Sequence, residues 1–207
     1  MKYLNANFIN HKELAISNYR VLMITGRDYN MIRLETDRLI LRDWSIDDKY
    51  DLYEYAKSDL VGPNAGWKPH KSLEESQSII EMFINDNDVY AVELKESKKV
   101  IGSIGIHKKE PDENIKDKKQ LEVGYVLNPQ YWGNGYIPEA VERVKIFCFK
   151  DLDLDLLWCA HYDFNNNSNR VIEKCGFIYQ FTKEQKLSLL DGRLVNTRYY
   201  KIDNPFR

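Results

Sequence analysis

The chain has 207 residues, 43 % hydrophobic and 30 % charged, which is enough apolar material for one buried core and too much for a disordered chain. Lys and Arg number 30 against 32 for Asp and Glu, and the resulting net charge of −2 gives no general attraction for nucleic acid or a membrane surface. The longest apolar run, Leu156–Ala160, falls far short of the roughly 20 residues of a spanning helix, and the first 30 positions offer only Val21–Ile24, so neither a transmembrane segment nor a secretory leader is expected and the compartment is read as cytoplasmic.

Residues 1–30 carry a faint helical period (Leu14, Ala15, Tyr19, Leu22) and read as an N-terminal appendage, weakly structured or partly helical. The main domain is placed at 31–207, with Met31 as an alternative start. From Arg38 to Trp44, Leu39 and Leu41 alternate with Ile40 and Arg42, which predicts a strand. Ser45 with Asp48 three positions on forms a capping pair, and Ile46, Tyr50, Tyr53 and Lys57 follow at the spacing of a helix of about three turns. Gly62-Pro63-Asn64-Ala65-Gly66 reads as a turn. Ser72-Leu73-Glu74-Glu75 is the better capping box and opens a second helix with Leu73, Ile80, Phe83 and Ile84 on one face.

Asp88–Lys95 and Val100–His107 flank a charged turn and predict an antiparallel hairpin, followed by a solvated loop over 111–119. Gln120–Leu127 is the next strand, halted by Asn128-Pro129. Beyond Gly133-Asn134-Gly135, the positions Ile137, Ala140, Val141, Val144, Phe147 and Cys148 fit a third helix, with Pro138 in its tolerant first turn. Leu156–Tyr162 is a central strand, and Asn165–Lys174 is a short helix closed by Gly176. Phe177–Leu190 and Leu194–Ile202 flank the hairpin signal Asp191-Gly192. The order predicts an α/β (α+β) fold: one mixed, mostly antiparallel central sheet with helices on both faces.

Two constellations carry chemistry. In the first, a strand runs into Gln130-x-x-Gly133-x-Gly135 and then into an amphipathic helix. Glycines let backbone amides approach a ligand, and unpaired N–H groups at a helix start favour a phosphate or diphosphate. A strand-to-helix turn without a ligand is the alternative, and the dinucleotide fingerprint fails because Pro138 stands where its third glycine belongs. The second is Asn165-Asn166-Asn167-Ser168-Asn169-Arg170-Val171-Ile172-Glu173-Lys174-Cys175-Gly176-Phe177, which by itself is a capped helix with a glycine stop.

Together with the opening Leu34-Glu35-Thr36-Asp37-Arg38-Leu39-Ile40-Leu41-Arg42 and the block from Glu122-Val123-Gly124-Tyr125 to Gly135-Tyr136, these segments make the chain resemble the GNAT acetyltransferase superfamily, in its RimJ/RimL-like branch of ribosomal-protein N-terminal acetyltransferases. The resemblance spans about Ile32 to Ile202. It implies acetyl-coenzyme A as cosubstrate and a primary amine as acceptor. It also assigns Gln130, Trp132, Gly133, Asn134, Gly135 and Tyr136 to the coenzyme diphosphate, Tyr125, Val126 and Leu127 to the pantetheine arm, and Asn165, Ser168 and Arg170 to its other side.

Attack of a neutral amine on a thioester needs a base, an oxyanion donor and a proton for the leaving thiolate. Glu122 matches a glutamate of the family pattern and is the candidate base, with a structural pairing in the sheet as the alternative. A protein N-terminus, with a reference pKa of about 7.7–8.0, asks less of that base than a lysine at about 10.4. The tyrosine that many superfamily members use as general acid is replaced by Ile172, so Ser168 is nominated, with a helix-start hydroxyl as its alternative role. By analogy the early helices, the Gly62–His70 loop and the last hairpin wall the acceptor cleft, which makes Trp67, His70 and Tyr199 its candidate lining. The acceptor is a peptide N-terminus or a small-molecule amine, and the chain is a monomer or homodimer. The four histidines have no metal spacing, the three cysteines have no CxxC pair and read as buried thiols, and no metal is expected. A noncatalytic acyl-coenzyme A sensor is the rival reading.

Overall fold

A computed structural model describes residues 31–207, and the expected appendage over 1–30 lies outside them. The body Arg33–Arg207 is built on eight strands: β1 Leu34–Glu35, β2 Leu39–Arg42, β3 Val89–Leu94, β4 Val100–His107, β5 Gln120–Leu127, β6 Leu156–Tyr162, β7 Ile178–Leu187 and β8 Arg193–Asp203. They form one sheet in the order β1-β2-β3-β4-β5-β6-β8-β7, antiparallel except for the parallel pair β5–β6. Five helices cross it: α1 Lys49–Ala56, α2 Gly62–Ala65, α3 Leu73–Asp86, α4 Tyr136–Ile146 and α5 Asn166–Lys174.

Helices α1 and α3 cover one side. Leu52, Tyr55, Ala56 and Ile80 pack with Trp44, Val61, Ala91 and Val100 in one buried cluster. On α4 the stripe Ile137, Ala140, Val141 and Val144 is buried, and this helix packs over β1, β2 and β5, continuing through one wider turn at Phe147–Asp151. The three cysteines are buried free thiols. Among the described residues no helix is long and apolar enough to cross a membrane.

Several local expectations are corrected. Ser45 and Asp48 make the complete reciprocal cap, but over a single 3-10 turn, Ile46–Asp48, that leads into α1. At the second helix Ser72 accepts from the Glu75 N–H at 3.3 Å, while the Glu75 carboxylate reaches past it to the Lys71 N–H at 2.6 Å, so the box does not close on Ser72. Ile80 is buried as expected, but Ile84 is exposed and Ser76 faces inward beside Ile80. The Gly62–Gly66 segment is a helical turn stopped by Gly66 at φ 95°, not an open turn. Asp191 and Gly192 are both left-handed, but they close a five-residue loop that includes a 3-10 turn at Ser188–Leu190 and not a two-residue hairpin.

Candidate functional site

The parallel pair sets the site. Strands β5 and β6 are registered only from Gln120↔Leu156 to Val123↔Cys159, although β5 continues to Leu127 and β6 to Tyr162. Beyond Val123 and Cys159 they part into a fork. Strand β4 stays paired to β5 as far as Leu127, and the Asn128 N–H donates to Ile101 O at 2.8 Å. Antiparallel ladders alternate, so Ser103–Val126 and Gly105–Gly124 exchange hydrogen bonds while the peptide groups of Tyr125 and Leu127 turn away from β4, into the fork. Of the three residues expected along a pantetheine arm, Val126 therefore directs its peptide groups to β4. The Leu127 carbonyl accepts from the Trp132 indole at 2.9 Å, which leaves the peptide groups of Tyr125 and the N–H of Leu127 facing the gap.

At the open end of β5 the loop tightens before α4. The N–H groups of Gln130, Tyr131 and Trp132 are engaged by Asn128 and Pro129 in a 3-10 turn. The expected diphosphate donors at Gln130 and Trp132 are thus already in use. Gly133 and Gly135 are left-handed at φ 80° and 77°, and a Cβ at Gly133 would meet none of the described residues within 4 Å. Gly135 caps α4, Pro138 has no N–H to offer, and the Glu139 N–H makes the first intrahelical bond, to Gly135 O at 3.2 Å. The N–H groups of Gly133, Asn134, Gly135, Tyr136 and Ile137 donate to none of the described residues. These open donors, the last three at the positive end of an 11-residue helix, have the arrangement that can cradle an anion.

A residue that no local signal pointed to braces this cradle. Arg38, just before β2, donates to Asn134 O at 3.0 Å, pairs with Glu139 at 2.6 Å, and lies 4.4 Å from the Tyr136 ring centroid. Burial opposes ionisation of the Glu139 carboxyl, but bonds from Thr36 and from the backbone and side chain of Arg38 outweigh it and hold its pKa below the ordinary value.

Residue period two puts Glu122 and Tyr125 on opposite faces of β5. Glu122 is 6 % exposed, beside Trp158 on β6 and His107 on β4. Its Oε1 accepts from Lys109 Nζ at 2.6 Å, and its Oε2 is buried without a hydrogen-bond partner among the described residues. Tyr199 and Tyr162 share its neighbourhood. Burial first, then the Glu122 charge, pushes the Tyr199 hydroxyl up to about 12 and shifts that of Tyr162 upward. Tyr199 also packs on Phe181 at 5.2 Å between ring centroids. The structure thus brings Glu122 and Tyr199 together and adds Tyr162 and Lys109, which sequence reasoning missed.

Across the fork, Ser168 in the first turn of α5 has its Oγ 3.0 Å from the Tyr125 hydroxyl, which also donates to Ser168 O at 3.2 Å. Burial drives the Tyr125 pKa well above its ordinary value, so the phenol stays protonated. Ile172 is buried and Arg170 is exposed. Asn165 caps α5 through the Ser168 N–H at 3.1 Å and donates to Asn64 O at 3.0 Å, so its amide ties α2 to α5. Trp67 and His70 lie 5.1 Å apart between ring centroids, but the His70 ring is buried and its Nδ1 bonds Ser76 Oγ at 2.8 Å. His70 braces the loop against α3.

The family described as "Acetyltransferase (GNAT) domain" matches residues 38–178. A Bacillus subtilis (strain 168) protein described as uncharacterized N-acetyltransferase YoaA is 28 % identical over 177 residues, covering 83 % of this chain and 97 % of its own. Two solved structures share the fold: the microcin C7 self immunity acetyltransferase MccE in complex with acetyl-CoA and AMP (20 % identity, 81 % of this chain and 93 % of that one, TM-score 0.68), and the ribosomal-protein-S5-alanine acetyltransferase of Vibrio fischeri (20 %, 84 % and 98 %, TM-score 0.64).

Proposed function

The chain belongs to the GNAT acetyltransferase family and is an N-acetyltransferase, and from that premise we propose that it moves an acetyl group from acetyl-coenzyme A to a primary amine by direct attack in a ternary complex. The observation that carries the reading is the β5–β6 fork, which opens beside N–H groups at the start of α4 that have no acceptor among the described residues. When bound, the coenzyme supplies an acetyl thioester. Gly135, Tyr136 and Ile137 would hold its diphosphate through peptide N–H groups, and the peptide groups of Tyr125 would face its pantetheine arm.

Glu122 takes the proton from the acceptor ammonium on one face of the sheet, with Tyr162 and Tyr199 beside it. As the nitrogen bonds to the carbonyl carbon and the carbon–sulfur bond breaks, Ser168, paired with Tyr125, would give a proton to the thiolate from the opposite face, and the second proton shed by the nitrogen as it becomes an amide would restore the serine hydroxyl through solvent. The acceptor is a protein N-terminus of the RimJ/RimL type or a small-molecule amine; the solved neighbour named for ribosomal protein S5 favours the first. A panel of N-terminal peptides, polyamines and other small amines, read by thiol release from acetyl-coenzyme A, tests the proposal. Turnover with at least one amine class is expected, and binding of the coenzyme without turnover on any of them would favour a sensor.

A further inference from the structure

We propose that Arg38 is the positioning residue that aims the peptide donors of the β5–α4 loop at the coenzyme diphosphate, an inference that rests on the coenzyme reading above. Arg38 stands about a hundred positions from this loop, yet its guanidinium makes four contacts there: Nη1 to Asn134 O at 3.0 Å, Nε and Nη2 to Glu139 Oε2 at 2.7 and 2.6 Å, and its plane over Tyr136 at 4.4 Å. Its backbone N–H adds a bond to Glu139 Oε1 at 3.0 Å, and the Thr36 hydroxyl donates to the same oxygen.

Because the Glu139 carboxylate offsets the guanidinium charge, the contribution of Arg38 to an anion is directional more than Coulombic. A trans peptide sets its C=O and N–H on opposite sides. Holding Asn134 O against Arg38 therefore turns the Gly135 N–H away from Arg38, to the side left open by the loop. Gly135 at φ 77° accepts that orientation; its nearest side-chain neighbour, Arg38 Nη2, would lie 3.8 Å from a Cβ, so backbone conformation and not space calls for glycine. The planar fork can serve Asn134 and Glu139 at once, which a lysine ammonium on a flexible stem cannot reproduce.

Calorimetry on the full chain with coenzyme A and with dephospho-coenzyme A tests this, since both carry the diphosphate and only the first has the 3′-phosphate. The wild type is expected to bind both. Arg38→Gln and Arg38→Lys are expected to weaken both ligands by the same factor, roughly tenfold to hundredfold, the worth of one or two charge-assisted bonds. The thermal midpoint should move little in the lysine variant, which serves as the test if the glutamine variant fails to fold. Unchanged affinity in Arg38→Lys overturns the proposal, and so does a loss confined to coenzyme A, which would make Arg38 a direct 3′-phosphate contact. A wild type that binds neither compound overturns the coenzyme reading, and this one with it.

Discussion

Lys109 holds its ammonium 2.6 Å from one oxygen of Glu122, and the other oxygen of that carboxylate is buried with no partner among the described residues. The candidate base thus already carries an amine, in the place where the acceptor amine has to arrive. Lys109 is 56 % exposed at its side chain and can swing away at little cost. Lys109→Met is therefore expected to lower the acceptor KM several-fold with kcat little changed, measured by thiol release on the best amine of the panel. An unchanged or higher KM would mean that the lysine does not compete with the acceptor.

Glu122→Gln removes the proposed proton acceptor while keeping the shape. A general base contributes on the order of 10²–10⁴-fold, so kcat at neutral pH is expected to fall by about that much. The deficit should narrow as pH rises toward the pKa of the acceptor amine, where deprotonation needs no help. Full turnover at neutral pH in this variant would remove Glu122 from the chemistry.

Ser168 and Tyr125 form one hydroxyl pair across the fork. Ser168→Ala and Tyr125→Phe are expected to lower kcat by similar factors, about tenfold each, with the double variant no worse than the poorer single one because both removals break the same unit. Multiplicative losses would show two independent roles.

Acid should weaken the fold in two stages. Burial lowers the pKa of His70 and of His161 below the reference 6.5, so each favours the native state while neutral. A depressed folded-state pKa means stability that is whole above 6.5 and drains away as pH falls through it. The Glu139 carboxyl, also depressed, adds a loss that begins near its reference value of 4.5 and grows below it. Denaturant midpoints across this range should fall first below 6.5, and His161→Gln should flatten that first stage.

Arg42 joins both oxygens of Asp48 at 2.8 Å and Glu93 at 2.6 Å, and both carboxylates are buried. Arg42→Ala strands two acids and should cost roughly 3–5 kcal/mol by urea denaturation. A cost under 1 kcal/mol would show that water reaches them.

What the sequence could show followed the range of its signals. The apolar period of α4, the run Leu156–Ala160 and the glycine stop after α5 are local, and the structure has each where its residues place it. The fork was not visible, because parting β5 from β6 after Val123 is a matter of pairing between segments more than thirty residues apart. Nor was the use of Gln130 and Trp132 N–H groups by Asn128 and Pro129, which leaves Gly133–Ile137 as the run of open donors. Arg38 stood in a segment that signalled a strand and its partner Glu139 in one that signalled a helix, and nothing in either period links them. The cap strengths at Ser45 and Ser72 came out reversed because the Glu75 side chain found the Lys71 N–H one residue earlier.

Amide hydrogen exchange at Gly135, Tyr136 and Ile137, followed as acetyl-coenzyme A is added to the full chain, reads the diphosphate grip at the atoms assigned to it. Slowed exchange at these three positions at saturating ligand is the result predicted. Binding that leaves them exchanging at the rate of the free protein would contradict the account.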